Sequence, residues 1–103
     1  MVRMFVTCSG DDENRFDREY YANKHLALAL ECWGPHGLLA ASAFFPQAKT
    51  GNGLLSIGVY DFHDEHSMQA ALAAPEKDKV MADVTNFTCT TNIERSVWKP
   101  LGA

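Results

Sequence analysis

The segment from Phe16 to Trp33 can be little other than one amphipathic helix, and its two ends fix where the neighbouring strands must lie. Asp17 reads as an N-cap, because its carboxylate can accept from the free amides of a first helical turn. Phe16 and Tyr21 stand at the N′ and N4 positions of a hydrophobic staple. Gly34-Pro35 is the stop: glycine suits a left-handed exit and proline cannot continue the helix. On a wheel of about 100° per residue centred on His25, the residues Tyr21, Leu28, Ala29 and Cys32 fall within about 60° of it. Glu19, Asn23, Lys24 and Glu31 lie on the other side. A histidine therefore occupies the middle of the apolar stripe, where leucine would be the inexpensive choice. It is the strongest functional clue in the chain. The plainer alternative is a core histidine with one ring nitrogen bonded to a neighbour. Burial lowers an imidazole pKa and keeps the ring neutral, which suits a general base as well as a structural hydrogen bond.

The flanking segments alternate as strands do. Val2, Met4, Val6 and Cys8 share one side against Arg3, Phe5 and Thr7, and Ser9–Asn14 is a polar loop. Gly37–Phe45 is alanine-rich, but the glycines and proline before it and Phe44-Phe45-Pro46 at its end make it a strand. Gln47–Gly53 reads as a hairpin-type loop. Leu54–Phe62 is the clearest strand, with Leu55, Ile57 and Val59 on one side and Leu54, Tyr60 and Phe62 on the other. Ser56 and Gly58 share that second side and leave space there for another element or a ligand. Asp64 caps a second helix that carries Met68, Ala71 and Leu72 inward. Pro75 ends it or opens a short further helix burying Val80, Met81 and Val84. Asp83–Phe87 crosses back, and Thr88–Trp98 is the last strand, rich in threonine, isoleucine and valine.

Composition removes several function classes. The 103 residues suffice for one domain, and 47% hydrophobic content supports a packed core rather than disorder. No apolar run approaches the roughly 20 residues of a membrane span, and the N-terminus reads as a strand rather than a signal peptide. A net charge of −4 with scattered basic residues argues against nucleic acid and leaves no basic patch for a membrane surface. Cys8, Cys32 and Cys89 form neither a CxxC pair nor a metal spacing, so reduced thiols in the cytosol and a packing role are expected. His36, His63 and His66 sit at element ends without a ligand spacing and read as solvated surface, so no metal is expected.

The order β-α-β-β-α-β is the ferredoxin-like arrangement, an α+β fold with one antiparallel sheet and its helices on one face. Apolar residues then remain for the other face, among them Phe5 and Trp98, and the chain has nothing left to cover them. A homodimer packing two sheets face to face is the economical answer.

Phe16-Asp-Arg-Glu-Tyr-Tyr-Ala-Asn-Lys-His25 with Gly34-Pro35-His36-Gly37 resembles the EthD family. So does Phe62-His-Asp-Glu-His-Ser-Met-Gln-Ala-Ala-Leu-Ala-Ala-Pro-Glu with Asp83-Val-Thr-Asn-Phe-Thr88, and the match runs nearly end to end. The resemblance implies a dimeric α+β barrel and association with catabolic oxygenase systems such as ether degradation. Similar folds include cofactor-free polyketide cyclases, lactone isomerases, quinone-forming monooxygenases and haem-handling proteins. Two departures stand out. Ala27 replaces a proline usual two residues after the histidine, which implies a straighter helix, and Thr85 replaces a proline usual before Asn86.

With the resemblance, His25 becomes the candidate catalytic base and Tyr21, one turn earlier, the group that orients its ring or polarises a carbonyl. Tyr20 points away, to surface or edge packing. Asp83, Asn86 and Trp98 are candidate substrate contacts, against simpler roles in turn bonding and packing. Two functions follow. One is a cofactor-free lyase, cyclase or isomerase in which neutral His25 takes a proton beside a carbonyl and Tyr21 donates to the enolate oxygen. The other is a binding or accessory protein of a monooxygenase system that holds a small apolar or aromatic compound in the same pocket. A haem ligated by His25 is a third, weaker reading.

Overall fold

A computed structural model of the chain describes residues 1–11, 15–48, 53–90 and 92–101. Four strands, β1 (Val2–Ser9), β2 (Leu38–Phe44), β3 (Leu54–Phe62) and β4 (Ile93–Trp98), form one sheet in the order β2-β3-β1-β4, with every neighbouring pair antiparallel. The helical segments are α1 (Arg18–Tyr20), α2 (Leu26–Trp33), α3 (Glu65–Ala73) and α4 (Glu76–Ala82). This is the ferredoxin-like α+β architecture. Among the described residues no helix is long and apolar enough to cross a membrane.

Register turns the sequence alternation into two different sheet faces. Val2 lies opposite Phe62, Met4 opposite Tyr60 and Cys8 opposite Ser56, and all six are buried beneath the helices. Tyr21, Leu26, Ala29, Trp33, Met68 and Val80 cover them to complete the core. Leu39, Phe44 and Trp98 remain about 60% exposed, and Phe5 meets Trp98 edge-on at 6.2 Å.

Both caps form. The Asp17 carboxylate accepts from Tyr20 N at 3.0 Å, and Asp64 accepts from Ser67 N at 2.7 Å. The Phe16 and Tyr21 rings lie 5.6 Å apart, as a staple requires.

Four local expectations give way to tertiary contacts. The first helix is not a single α-helix. Tyr21–His25 is a wider π-type turn in which the Leu26 amide donates to the Tyr21 carbonyl, so the absence of proline at Ala27 does not leave a regular helix. The left-handed exit is at Gly37, φ 108°, after a 3₁₀ turn over Gly34–His36, while Gly34 stays helical. A Cβ on Gly37 would come within 2.6 Å of Ser67 Cβ. Met81, expected inside, is 47% exposed, because only the Val80 side of α4 meets α2 and the core. The last strand begins at Ile93 rather than Thr88. The preceding stretch is held against the start of α1: Asp17 N donates to Phe87 O at 2.7 Å, and Thr88 Oγ1 donates to Arg15 O at 2.6 Å. Thr90 Oγ1 likewise donates to Ser9 O at 2.6 Å. The threonines that raised strand propensity serve as backbone acceptors' partners instead.

Gly58 is where sheet and helix approach most closely. A Cβ there would collide with the Tyr21 hydroxyl and meet Tyr60 Cε2 at 2.9 Å. The space left by this glycine is thus taken by the end of the Tyr21 side chain. Gly58→Ala should lose about 1–3 kcal/mol in urea unfolding, the scale of overpacking a filled core. The same change in a Tyr21→Phe background should cost less, since the colliding atom is gone. Equal costs in both backgrounds would refute this packing.

Candidate functional site

The wide turn decides which side chains meet. Residues five apart stand about 140° apart on an α-helix, so Tyr20 and His25 would face different ways. A turn closed by an i to i+5 bond brings them to the same side. Both reach Asp83, the first residue of a short 3₁₀ turn over Asp83–Asn86 that follows α4. Tyr20 Oη donates to Asp83 Oδ1 at 2.7 Å, and His25 Nδ1 lies 2.9 Å from Asp83 Oδ2. Asn86 Nδ2 donates to Asp83 Oδ1 at 2.9 Å and to Tyr20 Oη at 3.3 Å. The Arg15 guanidinium steadies the end of this turn by donating to Thr85 O at 2.6 Å and Asn86 O at 3.3 Å. Tyr20, expected at the surface, is instead half-buried in this network.

The electrostatics assign the histidine tautomer. Partial burial works to raise the Asp83 pKa, but the hydrogen bonds from Tyr20, Asn86 and His25 outweigh it and hold the carboxyl below its ordinary value. Asp83 is therefore ionised at neutral pH and can only accept, so Nδ1 of His25 carries the proton. Burial lowers the His25 pKa, and the carboxylate only partly offsets this. The neutral ring thus has its lone pair on Nε2, which has no hydrogen-bond partner among the described residues. The ring is 5% exposed, stacked on Tyr21 at 5.2 Å and tilted against Phe87 at 4.7 Å.

His25 lines a cavity of about 360 Å³ between the helices and the sheet. Its walls are mostly apolar, including Met4, Val6, Trp33, Val80 and Phe87. Its buried polar groups include His25, Tyr21, Tyr60, Cys8 and the Trp33 indole N–H, which has no hydrogen-bond partner among the described residues. The Tyr21 and Tyr60 hydroxyls are 2.9 Å apart. One donates to the other, so the pair retains one O–H proton for a further acceptor. Burial raises both phenol pKa values, that of Tyr60 to about 12, and keeps the pair protonated. Burial also raises the Cys8 thiol pKa, which makes it a poor nucleophile.

His25 and Tyr21 therefore come together as the sequence suggested. Asp83 and Asn86 do not line this cavity: Asp83 stands behind the imidazole, where with Tyr20 it lines a separate cleft, and Asn86 stands behind Asp83. Trp98 is on the opposite sheet face with its indole N–H donating to Ser96 Oγ at 2.9 Å. Tyr60 was missed by sequence reasoning, although its place two residues after Gly58, on the side left open by that glycine, was a usable signal. Among the described residues no group of three or more His, Cys, Asp or Glu gathers to hold a metal ion. His63 pairs with Asp64 at 3.0 Å, and His36 approaches Glu76 at 3.8 Å.

No protein-family model matches the sequence, and no curated protein does. Solved structures do. An EthD-like protein from Ralstonia eutropha superposes with TM-score 0.75 at 15% identity, over 92% of this chain and 88% of that one. An ethyl tert-butyl ether D (EthD) family protein from Bacillus halodurans gives TM-score 0.71 at 17% identity, over 98% and 99%. SnoaB, a cofactor-independent oxygenase from Streptomyces nogalater, gives 0.60 at 12% identity, over 99% and 95%. The backbone follows these proteins nearly end to end, and the chain has an EthD-like fold.

Proposed function

We propose that this protein carries out cofactor-independent acid/base chemistry on a small carbonyl or aromatic compound, with His25 Nε2 as the base. The observation that carries the reading is a buried imidazole with Nδ1 fixed on Asp83 and Nε2 unbonded in a cavity shared with two tyrosine hydroxyls. Nε2 removes a proton from carbon beside the carbonyl. The C–H electron pair moves to the carbonyl oxygen, and the Tyr21–Tyr60 pair donates its free O–H proton to the enolate oxygen as a hydrogen bond. Asp83 stabilises the imidazolium that forms. Return of the proton at another carbon completes an isomerisation; in a cyclisation the enolate carbon instead attacks a second carbonyl of the same molecule, forming the ring C–C bond, and the imidazolium proton goes to the resulting alkoxide oxygen. Among proteins of this fold SnoaB is described as a cofactor-independent oxygenase, and others carry the EthD name. Those names support a place beside an oxygenase pathway.

A second reading, a small-molecule carrier for such a pathway, is favoured by the mainly apolar walls of the cavity. Transfer of solvent deuterium into bound cyclic diketones and hydroxyaryl ketones, followed by NMR, separates the two. Enzymatic exchange is expected in the wild type. His25→Gln keeps a donor for Asp83 but has no base, and should reduce exchange at least 10²-fold with folding retained. His25→Leu should cost about 1 kcal/mol, since Asp83 keeps the Tyr20 and Asn86 donors. Saturable binding without exchange in the wild type would establish the carrier instead.

The lowered His25 pKa sets a pH window. The base stays unprotonated below the ordinary histidine value of about 6.5, so activity should persist there and fall only at lower pH. Stability follows the same sign. Below about 6.5 the unfolded chain takes up a proton that the folded ring refuses, so unfolding becomes easier as pH drops. Asp83, with its depressed pKa, contributes stability that is lost in the acid range as it is protonated. Denaturant midpoints measured from pH 8 to 4 should decline from about 6.5, and His25→Leu should remove the upper part of the decline.

We also propose a homodimer. Phe5, Leu39, Phe44 and Trp98 face away from the helices or stand exposed at the sheet, and the described residues provide no second layer for them. Sedimentation at micromolar concentration should give twice the chain mass, and Phe44→Glu should shift it towards monomer. A wild-type monomer would sink the proposal.

A further inference from the structure

We infer that the cavity takes an apolar body bearing a single carboxylate, held at the cavity mouth between Lys77 and Arg95. The two residues lie on different walls, Lys77 on α4 and Arg95 on β4, and they are the charged side chains in its described lining, His25 being neutral. The exposure gradient gives the ligand a direction. Arg95 and Met81 are exposed and Lys77 half-buried, whereas His25, Tyr21, Tyr60 and Cys8 at the other end are all buried. Neither cation has a side-chain hydrogen-bond or ion-pair partner among the described residues. Arg3 and Lys99, by contrast, have carboxylate partners at 2.7 and 3.1 Å.

The surrounding sheet register explains why Arg95 serves the cavity. Arg95 pairs with Val6, whose side chain points to the helices, while Glu94 pairs with Thr7 on the opposite face. The acidic neighbour in sequence is thus turned away from the mouth. The chain carries a net charge of −4, so two unpaired cations in the lining of one cavity run against its overall field. Such a pair selects an anion at that end, where an arginine fork and a lysine ammonium can share carboxylate oxygens. The apolar walls beyond exclude a second charge, because a charge without a partner is costly to desolvate. A cavity of about 360 Å³ sets the size at one or two fused rings or a comparable acyl chain.

The inference uses the same cavity as the acid/base reading, but it is tested by binding rather than by turnover. Calorimetric titration would compare 1-naphthylacetate, its primary amide and 1-naphthyl phosphate against the wild type, Lys77→Gln and Arg95→Gln. The acid should bind at least tenfold more tightly than the amide. Each substitution should weaken the acid about three- to tenfold and leave the amide unchanged, and 0.5 M salt should narrow the gap between acid and amide. Equal affinity for acid and amide, tighter binding of the phosphate, no binding of the acid, or variants that weaken all ligands alike would each overturn it. Carboxylate binding that depends on Lys77 and Arg95 without deuterium exchange would leave this inference standing and remove His25 as a base.

Discussion

The Asp83 carboxylate is the contact on which the rest of the site depends. It accepts from Tyr20, His25 and Asn86, and so ties the first helix to the turn that returns the chain to the sheet. A carboxylate with this many donors is held ionised, and an ionised carboxylate can only accept. That one fact fixes the proton on Nδ1, orients the ring and leaves Nε2 basic. A buried imidazole without such an orienter would be free to exchange tautomers and to point its donor into the cavity.

The backbone is bent to make this contact possible. An unbroken α-helix would direct Tyr20 and His25 to different sides, and Asp83 could then serve only one of them. The wide turn over Tyr21–His25 gives up a regular hydrogen-bond ladder locally and gains a shared partner for both side chains. Tyr21 is carried on the same turn, and its hydroxyl occupies the space that Gly58 leaves in β3. His25, Tyr20 and Tyr21 are therefore positioned by one local distortion of one helix, against a Tyr60 fixed by strand pairing. Above them the helices stand off from Met4, Val6 and Tyr60, and the cavity is the volume that remains.

The fold by itself says little about chemistry. Proteins of the same architecture include an EthD family member and a cofactor-independent oxygenase at 17% and 12% identity, a distance at which the scaffold is shared and the site need not be. What is particular to this chain is a neutral imidazole and a protonated phenol pair lining one cavity that Lys77 and Arg95 also line.

The sequence by itself determined the element order, the two capped helix starts, the alternation that divides the first strand into two faces, and the misplaced polar residue on the first helix. Each of these depends on contacts between residues near in sequence or on a simple period, which is why Asp17, Asp64, the alternation of Val2 to Cys8 and the position of His25 could be read directly. Space beside Gly58 was also legible, but not that a tyrosine hydroxyl from the helix would fill it. Only the tertiary structure decided the rest. The π-type turn, the meeting of Tyr20 with Asp83, and the diversion of Thr88 and Thr90 to backbone carbonyls of residues 15 and 9 join groups separated by dozens of residues. No local pattern records such a pairing. At Asp83, taking the carboxylate out of water costs free energy, and the Tyr20, His25 and Asn86 side-chain donors that the fold brings up offset it.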